Sequence, residues 1–193
     1  MTQPISIKKL ASSLFLGAAA WTFVCPTSPL AGRLCAQTAE ALSPQTLDAE
    51  FAVAADYYAK QQWQQAANAF QNYINKRGQT QHVAAAKFFL GESYVQQNDF
   101  ESAYQWYESF VRENPLNEFT ARATFRMGES AWRTGQHDNA LMVLEQFTQD
   151  YPNHDLVEFA LPYLGKIRLN RTEPQMAKTA FALGLKLLQK PKD

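Results

Sequence analysis

A chain of 193 residues is long enough for one domain with a real core and too short for the two large domains that many cofactor enzymes need. Alanine (28) and glutamine (18) make up about a quarter of it, while valine and isoleucine together number 11, a balance that favours helix over sheet. Eighteen basic residues against 18 acidic ones argue against a binder that neutralises phosphates, so no nucleic-acid partner is expected.

Residues 1–36 have the layout of a secretory signal peptide: Lys8 and Lys9 without an acid, an uncharged stretch from Leu10 to Val24, then Pro26 and Pro29. That stretch is shorter than the roughly 20 residues a bilayer span needs, so no stable membrane span is expected. Cleavage after Ala36 leaves Gln37 as the mature N-terminus and removes both cysteines, Cys25 and Cys35, and with them all thiol chemistry. A lipoprotein signal would put a small residue directly before the acylated cysteine, where this chain has Val24 and Leu34. An exported protein, soluble after signal cleavage, is therefore expected.

Residues 37–43 form a short linker, and 44–193 carry one unit written four times, about 47–83, 84–120, 121–157 and 158–193. A shift of 37 residues aligns Ala54, Gly91, Gly128 and Gly165; Ala66, Ala103, Ala140 and Ala177; and the large residues Phe70, Tyr107, Leu144 and Phe181. Within each unit the apolar spacing predicts two helices. The first helices fall at about 45–60, 82–97, 119–134 and 155–170, the second at about 63–76, 100–113, 137–150 and 174–189. Breakers separate them: Gly78, Asn114-Pro115 and Tyr151-Pro152, with Ser43-Pro44 as an N-terminal cap and first-turn proline. The two small columns are expected to face each other where the helices of a hairpin cross. A single hairpin cannot bury its apolar face, so neighbours must stack.

No catalytic chemistry is legible. His82, His137 and His154 show no metal-ligand spacing, and Gly91-Glu92-Ser93 and Gly128-Glu129-Ser130 lack the second glycine of a nucleophile elbow. No enzyme activity, cofactor or metal is expected.

The order Leu90, Gly91, Tyr94, Ala103, Tyr107, Pro115, repeated as Met127, Gly128, Ala140, Leu144, Phe147, Pro152, resembles the tetratricopeptide repeat. The resemblance implies an all-α, right-handed superhelical solenoid of four helix hairpins. The longer 37-residue period and its closing Tyr-Pro or Asn-Pro pair look like exported envelope proteins of the Tol-Pal YbgF type and like BamD. It implies a scaffold for a protein or peptide partner in the cell envelope, or an outer-membrane assembly factor resembling BamD. First helices line the concave face of such arrays, which places the partner groove on Phe51, Tyr58, Phe88, Glu92, Arg122, Phe125, Glu129, Trp132, Arg133, Lys166 and Leu169, with Ala55, Val95 and Pro162 beside them. Phe51, Phe88 and Phe125 form one column, expected either to anchor a partner or to pack adjacent first helices. The helix at 174–189 carries Phe181, Leu183, Leu185, Leu187 and Leu188 and should leave an uncovered apolar stripe, which makes self-association or docking through it an expectation, as a structural self-assembling module would use. Residues 37–155 hold 8 basic and 15 acidic residues and 156–193 hold 7 and 3, so the last unit is the basic end of an acidic array.

Overall fold

The computed structural model describes residues 44–77 and 82–189. The expected signal sequence, the linker, the Ser43 cap and the Gly78 breaker lie outside them. Among the described residues the chain forms eight helices and no strand: α1 (Pro44–Ala59), α2 (Trp63–Arg77), α3 (Val83–Gln96), α4 (Phe100–Glu113), α5 (Thr120–Arg133), α6 (His137–Asp150), α7 (Val157–Asn170) and α8 (Pro174–Leu188). Each helix packs on the next, so that four hairpins stack as a solenoid.

The helices follow the 37-residue register within a residue or two. The seventh starts at Val157 rather than near 155 because the preceding loop satisfies itself: the Leu156 N–H donates to His154 Nδ1 at 3.1 Å. Asp99 caps α4, its carboxylate accepting the Ser102 N–H and hydroxyl at 3.1 and 2.7 Å. The turn inside each hairpin adds a column that composition does not reveal. Gln61, Asn98, Gly135 and Thr172, each 37 residues apart, all take the left-handed backbone conformation, with φ of 60°, 60°, 79° and 60°. Only one of the four is glycine, the residue that adopts it without a steric penalty.

The glycine column makes room for large side chains of the second helices. A Cβ on Gly91 would lie 2.8 Å from the Tyr107 ring, one on Gly128 2.6 Å from Leu144, and one on Gly165 2.6 Å from Phe181. Each glycine is thus a notch for the large residue 16 positions on in its own hairpin. Ala66, Ala103, Ala140 and Ala177 are all buried on the second helices. Phe70, Tyr107 and Leu144 are wholly buried, whereas Phe181 at the open end is 39% exposed.

Stacking is not uniform. The second helix of one hairpin lies close to the first helix of the next at the first two seams, but the backbones of α6 and α7 stand further apart. Side chains, among them Leu144, Phe147, Val157 and Leu161, fill that wider seam.

A candidate partner-binding cleft

First helices α1, α3, α5 and α7 present their groove positions in register, yet these do not make one open surface. In the second and third hairpins the groove is closed by its own polar ladder. Glu92 on α3, 2% exposed, accepts the Tyr107 hydroxyl at 2.7 Å, Arg122 Nη2 at 3.0 Å and Arg126 Nε at 3.1 Å. Arg126 Nη1 continues to Glu129 at 2.6 Å, and the Tyr163 hydroxyl donates to Glu129 at 2.9 Å. The ladder therefore crosses from the second hairpin to the fourth. Sequence reading found Arg122 and missed Arg126. The signal was present, since Arg122 and Arg126 are one helical turn apart and so reach the same neighbour.

The ladder sets the local electrostatics. Burial first, and then the adjoining Glu92 charge, push the Tyr58 hydroxyl up to about 12. Burial and Glu129 do the same for Tyr163, also to about 12, and burial with Glu92 holds Tyr107 well above its ordinary range. Burial works against the Arg126 cation, but Glu92, Tyr107 and Glu129 outweigh it and hold the guanidinium above its usual value.

The phenylalanine column is interior. Phe51, Phe88 and Phe125 are 9%, 0% and 3% exposed. Phe88 stacks on Phe119 of the next hairpin with centroids 4.6 Å apart, Phe51 lies against Phe70, Tyr73 and His82, and Phe125 meets Phe147 and Tyr163. Burial leaves this column little surface for a partner, and its rings pack mainly on the second helix of their own hairpin, Phe51 on Phe70 and Tyr73, Phe88 on Tyr107 and Phe110, Phe125 on Phe147, with only Phe125 also reaching a neighbouring first helix through Tyr163. Tyr58 is half-buried between Trp63 and Phe89, and Ala55 is buried, so these positions of the expected groove offer little accessible surface.

Arg122, Glu129, Trp132, Arg133 and Lys166 do come together, in a cleft of about 1330 Å³ running along α5 and α7 at the wider seam. Phe125 forms part of its floor. Phe159, Pro162 and Tyr163 complete the apolar wall, and Phe159 is 42% exposed. Trp132 lies 5.0 Å from Tyr163 between two cations, with Arg133 and Lys166 at 5.7 and 5.4 Å from its ring centroid. Among the described residues neither cation forms an ion pair, in contrast to Arg122 and Arg126. Glu118 and Asp155 line the opposite end, just before the starts of α5 and α7, both exposed and, among the described residues, outside any ion pair. Leu169 lies apart from this cleft, in an apolar trough of about 450 Å³ that it forms with Pro174, Phe181 and Leu185 of α8.

Among the described residues no group of three or more His, Cys, Asp or Glu side chains is placed to hold a metal, and no helix is long and apolar enough to cross a membrane.

Two profiles described as tetratricopeptide repeat match residues 51–118 and 122–154, together more than half of the chain. None of the curated protein sequences matches. Solved structures with the same fold include MamA from Desulfovibrio magneticus RS-1, at 14% identity over 76% of this chain and 78% of that one, with a TM-score of 0.64. A tetratricopeptide repeat protein from Parabacteroides merdae has 17% identity over 76% of this chain and 55% of that one, with a TM-score of 0.65.

Proposed function

The chain belongs to the tetratricopeptide repeat family, a family of non-catalytic protein-interaction scaffolds, and from that premise we propose that it captures a short segment of a partner protein in the α5–α7 cleft, as an exported adaptor of the cell envelope. The observation that carries the cleft assignment is Trp132 with Phe159: two large rings left accessible beside two cations, in an array whose groove phenylalanines Phe51, Phe88 and Phe125 are buried. Rigid aromatic anchors in a concave site supply most of the energy of such contacts, with charges setting register. A footprint of two helices fits micromolar rather than nanomolar affinity. The exported setting rests on residues 1–36, and the same cleft would serve an assembly factor that takes extended segments of outer-membrane proteins.

A photocrosslinking side chain in place of Phe159, used in intact cells, tests the cleft. Specific partner adducts that vanish with Trp132→Ala support it; adducts indifferent to Trp132→Ala overturn it. N-terminal sequencing of the native protein tests export, and retention of Met1 would refute it.

A second reading concerns α8. Phe181 and Leu185 occupy repeat positions held in the inner hairpins by the wholly buried Leu144 and half-buried Thr148, and Leu169 that of half-buried Trp132. Their exposure, together with a basic last unit against acidic first units, favours head-to-tail stacking of a second copy on α8.

A further inference from the structure

Resting on the cleft reading above, we propose that the α5–α7 cleft is bipolar and selects an extended segment carrying one acidic and one basic side chain six or seven residues apart, with apolar residues between. The unpaired charges of the cleft are segregated by sign along its length. Arg133 ends α5 and Lys166 lies about one turn short of the end of α7, while Glu118 and Asp155 stand just before the starts of the same two helices. Of the other charges lining the cleft, Arg122, Arg126 and Glu129 pair with one another or with Glu92, and Glu158 is buried. An occupant therefore meets two cations at one end, two carboxylates at the other and a wall of Trp132, Phe159 and Pro162 in the middle.

Dimensions set the spacing. Helix α5 has 14 residues and so is about 21 Å long. An extended chain rises about 3.3 Å per residue, so about six residues separate two side chains that reach both ends. A helical occupant would need about 14 residues for the same reach, with its apolar side chains on one stripe; the narrower demand of the extended segment suits a wall only two helices wide.

A displayed library of random ten-residue peptides, selected on the full chain, tests the proposal. Supporting binders carry an acid and a base six or seven residues apart, and removing either charge from a synthetic binder weakens it about two- to fivefold at low salt, an effect that shrinks as salt is raised. The double variant Arg133→Glu, Lys166→Glu then prefers the peptide whose acid has been replaced by lysine. Binders that need Trp132 and Phe159 but show no charge spacing overturn this inference and leave the cleft assignment standing. Absence of binders, or binding unchanged by Trp132→Ala with Phe159→Ala, overturns both.

Discussion

The Tyr107 hydroxyl donates to the Glu92 carboxylate at 2.7 Å, and neither side chain has appreciable contact with solvent. A carboxylate so placed is sustained only by its donors, here one phenol and two guanidinium groups from the next hairpin. Glu92→Ala leaves Arg126 facing the interior with half its partners gone and is expected to cost about 3 to 5 kcal/mol. Glu129→Ala, at a wetter site, should cost less. Urea unfolding midpoints of the two variants check the order, and a smaller loss for Glu92→Ala would refute the ladder's role.

The phenols beside the ladder make stability fall at high pH. Tyr58 and Tyr163 each ionise near 12 in the folded chain against an ordinary value of 10. Folded pKa values above the unfolded one mean that the stabilisation is complete below pH 10 and is lost as pH rises from 10 through 12. Denaturation midpoints should therefore drop across that window. The drop should be shallower in Tyr58→Phe and Tyr163→Phe, and phenolate absorbance should follow it.

The glycine notches predict a gradient along the array. Alanine normally gains about 1 kcal/mol over glycine inside a helix. At Gly128 that gain should be reversed, because the new Cβ would lie 2.6 Å from the wholly buried Leu144, and overpacking costs about 1 to 3 kcal/mol. At Gly165 the obstacle is Phe181, 39% exposed and free to swing aside, so Gly165→Ala should be neutral or stabilising. Thermal melts of the two variants separate the cases.

Thr172 is a β-branched residue in the left-handed region, the least comfortable occupant of its column. Thr172→Gly is expected to raise stability by about 1 kcal/mol, whereas Gly135→Thr should lower it by a similar amount. Opposite signs from the same exchange at equivalent turns are the informative result.

Phe125→Ala and Phe159→Ala should part company although both side chains line the cleft. The first empties a core site and is expected to cost about 3 to 5 kcal/mol. The second leaves stability within about 0.5 kcal/mol and abolishes partner capture.

The repeat register, the eight helices and the small and large columns were legible because they are periodic, and periodicity survives without knowing any contact. What was not legible depends on how closely neighbouring hairpins approach. Phe88 and Trp132 both sit on the expected groove face, yet the close seam after α4 covers Phe88 with Phe119, while the wider one after α6 leaves Trp132 half open. Glu92 and Glu129 are 37 residues apart and chemically identical; only the arrival of two arginines and a tyrosine buries the first more deeply. Gly91 read as small, and what it made room for, the Tyr107 ring, required the helix crossing itself.

Closure of the groove by Glu92, Arg122 and Arg126 has a kinetic side. In the proposed binding mode, half of the solenoid is a buttress that holds the cleft's shape without touching a ligand, so the contact is short. With micromolar affinity and association at about 10⁵ to 10⁷ M⁻¹s⁻¹, a bound segment departs in roughly 0.1 to 10 s. Such a residence time suits a protein that hands its cargo onward.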